Sequence, residues 1–150
     1  WGYVGGGIFK MKNSGRQSFG TDKNILGTDY DAIYATLRED IKQFKLDVPD
    51  GNYELTLHFA ELLSTEEKEA LVYNLGNASE NEKLTERAFG VSVNGHRVIE
   101  NLGTKNDLVP EVAYATKIQV NVKNGMGIVI DFVPIKSKPI LNGLQLRRIY

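Results

Sequence analysis

The sequence has no cysteine. That excludes a disulfide framework, a thiolate metal site and a cysteine nucleophile, though it leaves the compartment open, since many exported bacterial chains also lack cysteine. An excess of charge of one sign is missing as well. Eighteen basic and 19 acidic side chains give a formal net charge of −1, so nothing favours a nucleic acid or an anionic membrane as partner. No apolar run approaches the roughly 20 residues that a membrane-spanning helix needs. Histidine is scarce, and His58 and His96 lack the helical spacing of a metal pair, so both read as structural or surface residues. No Gly-x-Ser-x-Gly elbow occurs. Gly5-Gly6-Gly7 is followed by a β-like segment where a phosphate loop needs a helix N-terminus, so it reads as a turn or a close backbone approach. Catalytic residues, cofactors and metals are therefore not expected. The chain opens at Trp1 with neither an initiator methionine nor a signal peptide, as a piece of something longer would.

What is present is ordinary for one globular domain: 150 residues, 41% hydrophobic and 25% charged. Every-other-residue hydrophobicity dominates. Tyr53, Leu55, Leu57 and Phe59 alternate with Glu54, Thr56, His58 and Ala60, as in a half-buried strand. Phe44, Leu46 and Val48 alternate just before Pro49-Asp50-Gly51-Asn52, which predicts two consecutive antiparallel strands joined by a short loop. Asn94-Gly95 between Phe89–Val93 and Val98–Ile99 predicts a hairpin, because both residues tolerate positive φ. Asn124-Gly125 between Ile118–Val122 and Ile128–Phe132 predicts a second. The last strand is expected from about Ile140 to Tyr150, with Gly143 marking a bulge or close approach. Such regular short strands imply an all-β sandwich or barrel.

Two stretches interrupt the pattern. Residues 1–31 are glycine-rich and predict loops with one short strand near Ile8–Met11. Residues 64–86 are polar, and Ser64 or Thr65 can cap a short helix over Glu66–Leu71. Leu71, Val72, Tyr73 and Leu75 are apolar for a loop and should fold back onto the sandwich edge. Glu61 ends the strongly apolar strand; if buried it needs a partner, either Arg38 in an ion pair or a ligand.

The aromatics carry the binding chemistry. A pyranose stacks its C–H face on an aromatic ring while amides and carboxylates bind its hydroxyls. Trp1, Tyr3, Tyr30, Tyr34 and Tyr73 fall in or beside loops, where sites on a rigid scaffold usually lie. The alternative is that they plug the ends of the sandwich. The candidate ligand-binding set is Trp1, Tyr3, Tyr34 and Tyr73, with Asn74 beside the last.

Four segments, Trp1–Gly6, Ile33–Arg38, Val48–Glu61 and Phe89–Gly95, followed by Lys138–Leu144, resemble a malectin-like domain in order and spacing. The Pro-Asp-Gly-Asn-Tyr to Phe-Ala-Glu block is the most specific part. Glu69–Gly76 resembles the version at the C-terminal end of bacterial β-galactosidase-like enzymes of glycoside hydrolase family 2. The resemblance implies a jelly-roll-type antiparallel β-sandwich of the galactose-binding-like kind, carbohydrate as the ligand class, and a periplasmic or extracellular location. It also implies a catalytic barrel elsewhere in the parent chain and a further strand upstream of Trp1. In the eukaryotic lectin of the family, loop aromatics and one aspartate hold a glucose disaccharide. Here Tyr3 matches one tyrosine, Glu39, Leu63 and Ser64 stand in place of other aromatics, and Ser137 in place of the aspartate. The functional expectation is a non-catalytic carbohydrate-binding accessory module of a bacterial glycoside hydrolase, with a structural or interdomain module that has lost sugar binding as the alternative.

Overall fold

A computed structural model of the chain describes residues 2–8, 10–13, 16–19, 25–62, 86–104 and 107–150, with the side chains of 10–13 and 16–19 excluded. The helix expected over Glu66–Leu71, and the fold-back of Leu71–Leu75, lie outside the described residues. The elements run β1 (Gly2–Val4), β2 (Gly7–Ile8), β3 (Lys10–Asn13), β4 (Arg16–Phe19), α1 (Asp31–Tyr34), β5 (Arg38–Glu39) and β6 (Gln43–Leu46). They continue with β7 (Gly51–Phe59), β8 (Ala88–Val93), β9 (His96–Gly103), β10 (Tyr114–Val122), β11 (Ile128–Lys136), β12 (Ile140–Leu141) and β13 (Gly143–Ile149).

Two sheets make the sandwich. One has five strands in the order β1-β6-β11-β8-β9, the other three in the order β10-β7-β13, and the ladders in both are antiparallel. A small sheet, β12-β5-β2, and the β3–β4 pair stand apart from them. The all-β reading holds. The residues that alternate in the sequence are those that meet inside: Tyr53, Leu55, Leu57 and Phe59 of β7 form one buried cluster with Phe89, Val91, Ile128, Ile130 and Phe132. Each such side chain contributes about 1.5–3 kcal/mol through the apolar surface it removes from water.

The Asn94-Gly95 hairpin is as expected, with Val93 opposite His96 and both turn residues at positive φ (48° and 81°). The Asn124-Gly125 turn is not a hairpin. Its strands, β10 and β11, belong to opposite sheets, and β6 and β7 part in the same way at Pro49–Asp50. Both turns are corners where the chain crosses the core. They are tied together, because the Asp50 carboxylate accepts the backbone N–H groups of Asn124 (3.0 Å) and Gly125 (2.8 Å).

The final segment also changes sheet. Ile140 and Leu141 pair with β5, whereas Gly143–Ile149 pairs with β7. Asn142 sits at the switch. Its Oδ1 accepts the Ala60 N–H (2.7 Å), and its Nδ2 donates to the carbonyls of Tyr34 (3.1 Å) and Thr36 (3.0 Å). Gly143 is a close approach as expected, since a Cβ there would lie 2.9 Å from Ile33 Cγ2. The N-terminal region holds more strands than the one expected near Ile8–Met11. Strands of two to four residues are held by backbone pairing, and their hydrophobicity has no room to show a period.

Candidate functional site

The small sheet gathers one candidate site. Its middle strand, β5, places Arg38 opposite Ile8 and Leu141, and Glu39 opposite Gly7 and Ile140. The Gly5-Gly6 turn lies against it with φ of 77° and 75°. A Cβ on Gly6 would fall 2.5 Å from the Glu39 carbonyl oxygen, whereas one on Gly7 would meet nothing within 4 Å, so the close backbone approach expected of the triple glycine is made at Gly6. The Arg38 guanidinium donates to the carbonyls of Gly5 and Gly6, both at 3.2 Å. It also lies over the Tyr3 ring, 4.5 Å from its centroid, where a cation is attracted to the π face.

Tyr3 itself is on β1, opposite Phe44. The two rings meet edge to face with centroids 4.6 Å apart, and Tyr3 remains 45% exposed. It is thus an aromatic held in a fixed orientation at the sheet edge and open to solvent.

Beside Arg38, Glu39 enters an ion-pair network. Its carboxylate lies 3.4 Å from Arg87 Nη2 and 3.5 Å from Lys138 Nζ. Arg87 donates from Nε to Glu61 Oε2 at 2.9 Å and from Nη1 to the Lys138 carbonyl. Glu61 and Arg87 are both deeply buried. The ion pair expected for Glu61 therefore exists, but its partner is Arg87; Arg38 instead points to Tyr3 and the glycine turn. An isolated buried carboxylate is too costly to keep ionised, so a buried guanidinium is the physical counterpart. Arg87 was missed because only its place directly before the apolar run Ala88–Val93 marks it.

Tyr34 is not an exposed loop residue. It ends α1 and is only 3% exposed, so its ring offers no face to a ligand from solvent. The reason is His58, which lies on the outer face of β7 and is itself buried, the structural one of the two roles expected for it. The Gln145 carbonyl oxygen can only accept, so His58 Nε2–H donates to it (3.1 Å), and Nδ1 accepts the Tyr34 hydroxyl (2.7 Å). Burial raises the Tyr34 pKa above its ordinary value of 10.0. The folded chain therefore holds this proton more tightly than the unfolded chain. That contribution to stability is complete below pH 10 and is lost as pH rises further. In chemical denaturation at pH 9–11.5, Tyr34→Phe should show a shallower decline in stability than the parent.

Of the other expected ligand residues, Trp1, Tyr73 and Asn74 lie outside the described residues, as do Leu63 and Ser64. Tyr30 is 72% exposed, at the start of α1. Exposed Tyr3 and buried Tyr34 thus have different environments. Among the described residues, no group of three or more His, Asp or Glu side chains is placed to hold a metal ion. No helix among them is long and apolar enough to cross a membrane.

No curated protein sequence matches the chain. Among solved structures, a β-glucuronidase of Bacteroides uniformis, covalently bound to cyclophellitol-6-carboxylate aziridine, is 26% identical with a TM-score of 0.73. The similarity covers 100% of this chain and 14% of the β-glucuronidase, so the chain spans about one-seventh of that protein's length. The ANX2 ectodomain from Arabidopsis thaliana shares the fold at 14% identity, with a TM-score of 0.61 over 97% of this chain and 40% of its own. FER, in complex with the plant peptide RALF23 and LLG2, does so at 14% identity and a TM-score of 0.65, over 99% and 41%. The profile of the malectin domain matches residues 6–140, and the chain belongs to the malectin domain family.

Proposed function

We propose that the chain is a non-catalytic carbohydrate-binding accessory module of a larger glycoside hydrolase, working in the periplasm or outside the cell. The observation that carries this reading is Tyr3, whose ring is open to solvent, braced edge-on by Phe44 and covered in part by Arg38. A rigid aromatic with a cation and backbone carbonyls beside it suits the stacking and hydroxyl contacts of a pyranose. Similarity to part of a β-glucuronidase, together with membership of the malectin family, supports the same role. Trp1, Tyr73 and Asn74 remain candidates to complete the site.

Isothermal titration with neutral oligosaccharides tests this reading. Tyr3→Ala should weaken binding roughly tenfold, the equivalent of about 1.4 kcal/mol, with the melting temperature little changed. Absence of binding to any oligosaccharide by the parent chain would refute it.

A second reading, a structural module that packs on its catalytic neighbours without binding sugar, is favoured by Glu39. Its carboxylate, at a position where the family resemblance puts an aromatic, is engaged by Arg87 and Lys138 and so has reduced capacity for sugar hydroxyls. On that reading, deleting the module from the parent enzyme lowers stability and leaves polysaccharide affinity unchanged.

A further inference from the structure

Three strands separate β1, which carries Tyr3, from β9 at the far edge of the five-stranded sheet. There β9 faces β10, the outer strand of the opposite sheet, and a groove of about 540 Å³ opens between them. That volume is within the roughly 300–1,000 Å³ of small-molecule sites. Val98 and Ile118, half-buried on the core, line it together with Met126, which is 57% exposed. Its polar lining includes His96, Lys123 and Asn124, and none of the described residues that line it is acidic.

The walls are fixed in place by hydrogen bonds, none of which, among the described residues, engages the side chain of His96, Lys123 or Asn124. Asn94 joins the hairpin to the neighbouring corner, donating from Nδ2 to the Gly127 carbonyl (3.1 Å) and accepting the Val129 N–H at Oδ1 (2.8 Å). Asp50 holds the backbone of Asn124 and Gly125 from the other side. Gly127 has φ of 66°, and a Cβ there would come within 2.5 Å of the Leu46 carbonyl oxygen, so the turn that presents Met126 has little freedom. A site built on strands and pinned corners binds without first having to be ordered.

We propose that this groove is a second ligand site, for an acidic oligosaccharide. A pyranose C–H face rests on Val98, Ile118 and Met126, and its hydroxyls meet the Asn124 amide, which both donates and accepts. A uronate carboxylate meets the Lys123 ammonium in a charge-assisted hydrogen bond. Because no carboxylate lines the groove among the described residues, the Lys123 ammonium favours the acidic sugar over its neutral counterpart. The choice of sugar as ligand class rests on the module reading above; the preference for acid rests on the groove alone.

Titrating the chain with an oligouronate, its carboxyl-methyl ester and a neutral glucan of equal length tests the assignment. The oligouronate should bind about tenfold more tightly than its ester. Lys123→Gln should remove that difference, whereas Tyr3→Ala should leave it intact. Lys123 is exposed, and an unchanged melting curve confirms that the variant is folded. Equal binding of acid and ester, insensitivity to Lys123→Gln, or no binding of the oligouronate overturns the assignment. The two sites fail separately: neutral-glucan binding that depends on Tyr3 survives loss of the groove, and Lys123-dependent binding survives loss of the Tyr3 site.

Discussion

Replacing Arg87 by leucine should destabilise the chain by about 3–5 kcal/mol, because it leaves the buried Glu61 carboxylate without its guanidinium. For a domain of this size each kcal/mol lowers Tm by roughly 2–4 °C, so a fall of roughly 6–20 °C should be seen by calorimetry. The loss extends past one ion pair, since the same side chain reaches the Lys138 carbonyl and Glu39. Adding Glu61→Gln to Arg87→Leu removes the buried charge that the guanidinium balanced and should recover part of the loss. If Arg87→Leu melts within 2 °C or so of the parent, the network does not hold this end of the sandwich together.

Asn142→Ala should cost about 3 kcal/mol. It withdraws the acceptor from the N–H of the buried Ala60 and the donor from the carbonyl of the buried Tyr34, while the carbonyl of the exposed Thr36 turns to water; buried polar groups left without a partner cost about 1–3 kcal/mol each. Asn142→Asp is the informative companion. It keeps an oxygen for Ala60 but has no N–H for the two carbonyls and sets negative charge against them, so it should not rescue the fold. A urea titration in which the Asp variant matched the parent would show that the Ala60 contact alone matters.

These two residues also mark where the sequence could and could not be read. β7 was legible because a half-buried strand writes its two faces into alternate positions. Asn94-Gly95 was legible because a two-residue turn with positive φ at both positions has few solutions. Asn124-Gly125 carries the same local signal, yet its strands go to opposite sheets. Turn chemistry reports that the chain reverses, and only contacts distant in sequence decide which strands pair. His58 shows the same limit. Alternation put it correctly on the outer face of β7, but that face is covered here by Tyr34 of α1 and Gln145 of β13, which a single strand cannot reveal. At the candidate site, the exposed Tyr3 was legible as an aromatic outside the alternating core. Its Arg38 neighbour, the Arg87–Glu61 pair and the β9–β10 groove all arise where separate strands converge, so nothing local announces them.

The crossing of the chain between sheets has a consequence for biosynthesis. β7 finds its partners in β10 and β13, and β6 finds one in β11; β11 and β13 lie more than half the chain downstream of their partners, and β10 only somewhat less. The five-stranded layer cannot close before β11 has been made, nor the three-stranded layer before β13, so neither half of the sandwich forms early. Topologies dominated by such distant pairings fold slowly, on the order of milliseconds to seconds, and until then the apolar faces of β6 and β7 are exposed to other nascent chains.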